Sequence, residues 1–350
     1  MAYLESFKPD KGLLEDLILA PGVSGFEDPV RGYILEFLGK YGKPRVDRLG
    51  NVVFEAGGKG PRLLIAAHMD ELGLLVTGIE ESGLLAFRKV GGIDDSILPS
   101  THVVVHGSKG PVPGVIGAEP PHLRITRKAG EQTYRPWYEL RIDVGAESRE
   151  EAADMGIEPF TPVVFRKQIT YMAGGRYLAA RGVDDRAGCA TLIELLRLVS
   201  NGIVKPRVEL ILAWTVEEEI GIIGARALAR ELEPDYFIAV DTMTCCHPSL
   251  TGSTRLGRGP VVRAMDNYYI TSPRLARAVY KAGSTRGLQV QVATAGGGTD
   301  AAAFHYSGVP SVAVSVPVQY THSLVEKMHT GDYASWTRLL AAVVESGLKD

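Results

Sequence analysis

Residues 63–67 read L-L-I-A-A, five apolar side chains in a row that end at His68. A strand with water on one face would alternate apolar and polar residues. A continuous run instead asks for cover on both faces, the condition of a buried parallel strand. Buried strands are also expected at 208–215, 236–240 and 309–316, with a shorter one at 289–293. Helical patterns separate them at 185–200, 221–231, 272–282, 300–306 and from 332 to about 348. Ahead of the first run, 12–20 has helical spacing and stops at Pro21-Gly22. A second helix follows with Asp28 as N-cap and Pro29 at the first helical position. Short strands are expected around Val46 and at 52–54. This alternation predicts an α/β fold: a three-layer α/β/α sandwich around a mostly parallel sheet.

Between residues 72 and 165 the character changes. Short β-rich runs at 74–79, 84–89, 102–106, 112–116, 139–144 and 162–165 alternate with Gly and Pro turns, which predicts a small inserted β-barrel-like domain. One helix interrupts it, in S-R-E-E-A-A-D-M-G, with Ser148 as N-cap. The expected organisation is one α/β domain in two parts, 1–71 and 166–350, split by an insertion at 72–165.

The 350 residues carry a formal net charge of -3. There is no basic stripe for nucleic acid, no polybasic run for an anionic membrane, and no window near the ~18 apolar residues of a spanning helix. The N-terminus lacks the apolar core of a signal peptide. The expectation is a soluble, cytoplasmic protein with neither nucleic acid nor membrane as partner. Of the three cysteines, Cys245 and Cys246 are adjacent, poor geometry for a mutual disulfide, and their spacing is not C-x-x-C. Buried reduced thiols are expected.

Five segments at or near strand ends carry side chains that bind hard or borderline metals. They hold His68, Asp184, Glu218 with Glu219, Asp241 and His322. Singly, each has a plain reading as a helix cap, a solvated charge or an exposed imidazole. Together their number closes: a bridging carboxylate, one His and one carboxylate per ion, and one carboxylate left as a base. Adjacent glutamates do not readily chelate one ion, so one can bind while its neighbour takes a proton from water. Asp70, two residues beyond His68, can accept the second imidazole N–H. In A-T-A-G-G-G-T-D-A-A-A-F (293–304), Gly298, Thr299 and Asp300 are candidate substrate-binding residues, and Thr299 or Asp300 can cap the next helix. The lysine of a phosphate-binding loop is missing there, which favours a substrate pocket. The apolar residues of this stretch tilt the expected specificity towards neutral side chains.

These motifs, with K-G-P-V-P-G-V-I-G-A-E-P-P-H-L, I-D-V-G-A-E-S-R-E-E-A, G-V-D-D-R-A-G-C, E-E-E-I-G-I-I-G-A and Y-T-H-S-L-V-E in order, resemble the M42 family of dinuclear metallo-aminopeptidases, the TET or glutamyl-aminopeptidase-like group. The resemblance implies that Asp184 bridges two divalent ions, zinc or cobalt. His68 and Asp241 would complete one site, Glu219 and His322 the other. Glu218 would be the general base and Asp70 the catalytic-site residue that supports His68, with a cis peptide at Asp184–Asp185. It also implies dimerisation through the insertion, a tetrahedral dodecamer of dimers with an internal chamber, and peptides with a free N-terminus as substrates. Two departures stand out: Glu217 where relatives usually have Gln, and the segment M-T-C-C-H-P after Asp241. A non-catalytic assembly subunit and a glycoside hydrolase are the competing readings.

Overall fold

The computed structural model describes residues 7–118, 120, 135–246 and 254–348. Parts of K-G-P-V-P-G-V-I-G-A-E-P-P-H-L and of M-T-C-C-H-P fall outside them. In chain order the elements begin with α1 (Lys11–Leu19), α2 (Asp28–Leu38), β1 (Arg45–Val46), β2 (Val52–Gly57) and β3 (Arg62–His68). There follow β4 (Gly73–Ile79), β5 (Leu85–Val90), β6 (Thr101–Gly107), β7 (Gly110–Ile116), β8 (Ile142–Asp143), α3 (Arg149–Asp154) and β9 (Pro162–Phe165). Next come β10 (Thr170–Met172), β11 (Tyr177–Ala180), α4 (Val183–Ser200), β12 (Glu209–Thr215), α5 (Ile223–Glu231) and β13 (Tyr236–Thr244). The chain continues with β14 (Val261–Met265), α6 (Pro273–Ser284), β15 (Gln291–Thr294), α7 (Ala301–Tyr306), β16 (Ser311–Gln319), β17 (Glu326–His329) and α8 (Thr330–Ser346).

Two compact units result. One comprises the described residues up to Asp70, Gln168–Thr321 and those from Val325 on; the other is Glu71–Lys167 with His322–Leu324. The first is an α/β unit around an 11-stranded sheet. Its four central strands, β12, β3, β13 and β16, are mutually parallel. Both flanks turn antiparallel, so the sheet is mixed. The central strands are buried along nearly their whole length. Odd and even positions of β3 go to different cores: Leu63, Ile65 and Ala67 join the larger one with α1, α2, α4 and α8, while Leu64 and Ala66 join the smaller one with α5 and α7. Helices therefore cover both faces, which is why the run 63–67 has no polar alternation. Helix α4 is buried from Val183 to Leu196 and at Leu198, and is exposed only towards its C-terminal end, as a helix at the centre of a core must be.

The second unit is a closed barrel in the order β4-β5-β8-β7-β6-β9. Alternate residues point inward, among them Leu74 and Val76, Leu85 and Phe87, Val103 and Val105, Val163 and Phe165. The expected strand at 139–144 shrinks to Ile142–Asp143, because residues 137–139 form a single 3₁₀ turn. The Ser148 cap is present, accepting from the Glu151 amide at 3.1 Å. At α2 the expected cap shifts by one: Glu27 takes the N-cap position, without a side-chain bond, and Asp28 lies in the first turn. The expectation of reduced Cys245 and Cys246 is also corrected. The two form a vicinal disulfide, with Cys245 buried and Cys246 at a positive φ of 65°. Cys189 is a buried free thiol. No helix among the described residues is long and apolar enough to cross a membrane.

Candidate metal centre and catalytic loop

The carboxyl ends of adjacent parallel strands bring the first ligands together. Register pairs His68 with Thr215 across β3 and β12, and Ala66 with Ala239 across β3 and β13. Asp241 lies two residues beyond Ala239, so it comes level with His68 at the same rim. Asp184 arrives from the turn that opens α4. Gly182 is in the left-handed region there (φ 87°), and the Asp184–Asp185 peptide is cis. Asp185 accepts the Gly188 amide at 3.1 Å, so the capping task in G-V-D-D-R falls to Asp185 and not to Asp184.

His68, Asp184 and Asp241 are all buried, with ligand atoms within 4.8 Å of one another. The Nε2 of His68 is 3.4 Å from Asp184 Oδ1 and 3.9 Å from Asp241 Oδ1. Its Nδ1 lies 3.2 Å from the Asp70 carbonyl and 3.4 Å from Asp70 Oδ1. A proton on Nδ1 would be held there, leaving the lone pair on Nε2 facing the two carboxylates. Asp184 and Glu219 likewise offer oxygens within 4.8 Å of each other. His322 is exposed, at φ 59°, in the short segment that clusters with the barrel unit. Its Nδ1 is 3.2 Å from the Gly92 carbonyl, the same placement of Nδ1 against a carbonyl as in His68.

Asp70 does more than orient His68. Its two oxygens accept the backbone amides of Glu218 (2.9 Å) and Glu219 (3.1 Å), and the Ser24 hydroxyl (2.7 Å). One buried carboxylate thereby fixes a histidine and the backbone of both glutamates. Glu217, at φ 54°, donates its amide to Glu27 Oε1 at 3.2 Å, and Gly25 donates to the same oxygen at 2.7 Å. The turn leading to Asp184 has its own clamp: buried Glu326 accepts from Arg181 (2.9 Å), Gly182 N (3.0 Å) and Asp184 N (3.2 Å). None of Ser24, Glu27, Glu326 or Arg181 was singled out from sequence. Their contacts span long sequence separations and leave no local pattern, although Glu326 closes the Y-T-H-S-L-V-E motif.

The candidate substrate-binding residues are placed unevenly. Thr299 accepts the Ala301 amide at 3.2 Å and so performs the capping expected of Thr299 or Asp300. Asp300 is buried and takes a short hydrogen bond from the Thr215 hydroxyl at 2.5 Å. Gly298 lies under the Tyr268 ring, where any side chain would collide with it. The apolar residues that tilted the expected specificity are core: Ala301, Ala302, Ala303 and Phe304 are buried, and Phe304 stacks on Phe237 at 4.0 Å. That basis for a neutral preference therefore does not hold.

Crowded acids define the electrostatics. Burial first, then repulsion from Asp184, pushes Asp241 up to about 7, against the relief from Arg263. Burial likewise raises Asp300 to about 6. Glu218 and Glu219 lie well above the usual carboxylate range, through desolvation and then neighbouring acids, with His68 opposing. For His68, burial alone would lower the pKa, but hydrogen bonds to Asp184 and Asp70 outweigh it and raise the value well above 6.5. Asp70 goes the other way: burial would raise it, yet His68 and its other donors hold it below the usual range. A cluster of N and O donors that repulsion drives towards protonation fits divalent cations, which would hold those acids ionised.

Comparison with known proteins agrees with this chemistry. The profile of the M42 glutamyl aminopeptidase family matches residues 50–339. A lysyl aminopeptidase of Pyrococcus furiosus is 32% identical, covering 96% of this chain and 97% of its own. A glutamyl aminopeptidase of Lactococcus lactis is 30% identical, covering 98% and 97%. Among solved structures, the Pyrococcus horikoshii TET1 peptidase, described as assembling into a tetrahedron or a large octahedral shell, superimposes with a TM-score of 0.88. Its identity is 43%, covering 95% of this chain and 98% of that one.

Proposed function

The chain belongs to the M42 glutamyl aminopeptidase family and is a peptide hydrolase of the aminopeptidase kind, and from that premise we propose that it removes N-terminal residues from short peptides by means of two divalent ions and a glutamate base. In this reading Asp184 would serve both ions, His68 and Asp241 would hold one, and Glu219 and His322 would hold the other. Zinc or cobalt suits this N/O donor set. When bound, the ions supply Lewis-acid polarisation of the scissile carbonyl and acidify the attacking water towards a pKa of ~7.

The chain's own residues do the rest. Glu218 takes a proton from the attacking water and returns it to the leaving amine, and a pKa raised above the usual carboxylate range suits a group that must both accept and release. Asp70 keeps Glu218 in place through the backbone amide while holding the His68 tautomer. Gly298, Thr299 and Asp300 form the wall that receives the substrate. The single observation that carries the reading is the buried group His68, Asp184 and Asp241, joined through Asp70 to the glutamate loop.

The same proposal covers organisation. The unit Glu71–Lys167 serves as the dimerisation domain, and six dimers build a tetrahedral dodecamer in the cytoplasm, with sites facing a chamber that admits only unfolded peptides. The assembly described for the P. horikoshii relative supports this. Family membership favours peptide over glycoside hydrolysis and a working enzyme over a silent subunit.

The test is hydrolysis of Leu-, Glu- and Lys-p-nitroanilides by metal-depleted protein, before and after zinc or cobalt is restored, with Glu218→Gln in parallel. Metal-restored cleavage that disappears in the variant is the expected result, and the panel also reads the side-chain preference, which relatives named lysyl and glutamyl leave open. Metal-loaded protein that cleaves none of the three would overturn the proposal.

A further inference from the structure

One buried cation at the rim has no part in the scheme above. Arg263, on β14, is 4% exposed, and its guanidinium stands beside Asp241. Two hydrogen bonds fix it, and a longer ion-pair contact faces it towards Asp241. Nε donates to Ser315 Oγ at 2.8 Å, Nη2 donates to the Thr242 carbonyl, and the same Nη2 stands 3.9 Å from Asp241 Oδ2. The other oxygen of Asp241, Oδ1, is the one that stands 3.9 Å from His68 Nε2. The carboxylate is thus divided, one oxygen towards the imidazole and the other towards the guanidinium.

This division matters for a ligand. A free carboxylate can bind a cation through either oxygen or both, and swings between these modes about its last side-chain torsion. A guanidinium held by two other groups cannot follow that swing. The strand pairing makes the hold rigid: β14 runs antiparallel to β16 with Val261 opposite Ser315 and Val262 opposite Val314, and Asp241 on β13 is opposite that same Ser315. Ser315 is therefore the shared neighbour of ligand and arginine. The Arg263 carbonyl is tied down as well, by the Thr271 hydroxyl at 2.7 Å.

We propose that Arg263 is a positioning residue for the metal centre: pinned by Ser315 and the Thr242 carbonyl, it holds Oδ2 of Asp241 so that Oδ1 alone is presented to the cation shared with His68 and Asp184. The inference rests on the two-ion reading and deepens it. Partners of this kind change metal affinity by about 10–100-fold when removed. A lysine would keep the charge but could not span Ser315, the carbonyl and Asp241 at once, since it lacks the planar fork.

The experiment is a titration of metal-depleted protein with cobalt(II), followed by the visible spectrum and by calorimetry, for wild type, Arg263→Met, Arg263→Lys and Ser315→Ala. Wild type should take up two ions per chain. Arg263→Met should weaken one of them by about 10–100-fold and alter that ion's spectrum while leaving the other unchanged. Arg263→Lys should recover only part of the loss, and Ser315→Ala should show the same spectral change more weakly. Circular dichroism checks folding, and if Arg263→Met does not fold, Ser315→Ala decides. Folded variants with wild-type affinity and spectrum would overturn the positioning role. Wild type that binds no cobalt would instead overturn the two-ion reading.

Discussion

The barrel and the carboxyl-end rim of the main sheet bury opposite kinds of side chain. The barrel core is Leu, Val, Ile and Phe in period-two alternation, with one nearly buried ion pair, Lys167 to Glu71 at 2.6 Å. The rim buries Asp70, Asp184, Asp185, Asp241 and Asp300 together, with His68 and Arg263 opposing Asp241 and Arg181 opposing the neighbouring Glu219. Burying an ion costs several kcal/mol even after relaxation, so the barrel is built for stability and the rim is held in spite of its cost. What holds it is backbone: Asp70 and Glu27 each accept amides from the glutamate loop. The rim is left with an excess of acid, and that excess is what makes it a binding site for cations.

The largest effect should come from separating chemistry from stability at the rim. Glu218→Gln should lower kcat/KM by about 10²–10⁴-fold while the metal-depleted variant melts no lower than wild type, since one crowded acid has gone. A fall in melting temperature alongside the lost activity would mean that the rim carries the fold, and the contrast with the barrel would collapse. In the barrel the opposite pattern is expected. Lys167→Met leaves Glu71 without its ammonium partner and should cost about 3–5 kcal/mol in urea denaturation, whereas Lys167→Met with Glu71→Leu should recover most of it. A single variant within ~1 kcal/mol of wild type would show the pair to be effectively solvated.

How far the sequence discloses each region follows from the same contrast. Strands β3, β12 and β13 are legible because two-sided burial writes uninterrupted apolar runs. The antiparallel flank is not: β17 reads E-K-M-H, and its buried Glu326 makes sense only beside Arg181, 145 residues away. Strands β10, β11 and β14 are likewise absent from the sequence reading, which is why a mostly parallel sheet was expected where a mixed one forms. At the site, His68 and Asp70 are close enough in sequence for their pairing to be anticipated. The attachment of Asp70 to Glu218 and Glu219, or of Glu27 to Glu217, rests on contacts 148 to 190 residues apart and has no signature in any single segment.

Two smaller effects probe that backbone support. Burial first, then the charge of Asp70, raises Glu27 to about 7 from an ordinary value near 4.5. A carboxyl raised in the folded state binds its proton more tightly there than when unfolded, so its contribution to stability falls as pH climbs from about 4.5 to about 7. Glu27→Gln removes that titration and keeps an oxygen for the amides of Gly25 and Glu217. In metal-depleted protein the variant should match wild type near pH 4.5 and exceed it by on the order of 2 kcal/mol at pH 8. A difference independent of pH would mean that Glu27 contributes only its hydrogen bonds.

Ser24 gives the smallest and most local effect. Its hydroxyl donates to Asp70 Oδ2, the oxygen that also accepts the Glu219 amide. Ser24→Ala removes one of two donors to that oxygen and leaves the other, so the loss should be about 1 kcal/mol by urea denaturation, a normal buried hydrogen bond. The cost to activity should appear in kcat with KM little changed, because the hydroxyl acts on the carboxylate that holds the glutamates and never on the substrate. An unchanged kcat with the stability lost would show that the Asp70 network tolerates a missing donor, and that Glu218 is held by its backbone amide alone.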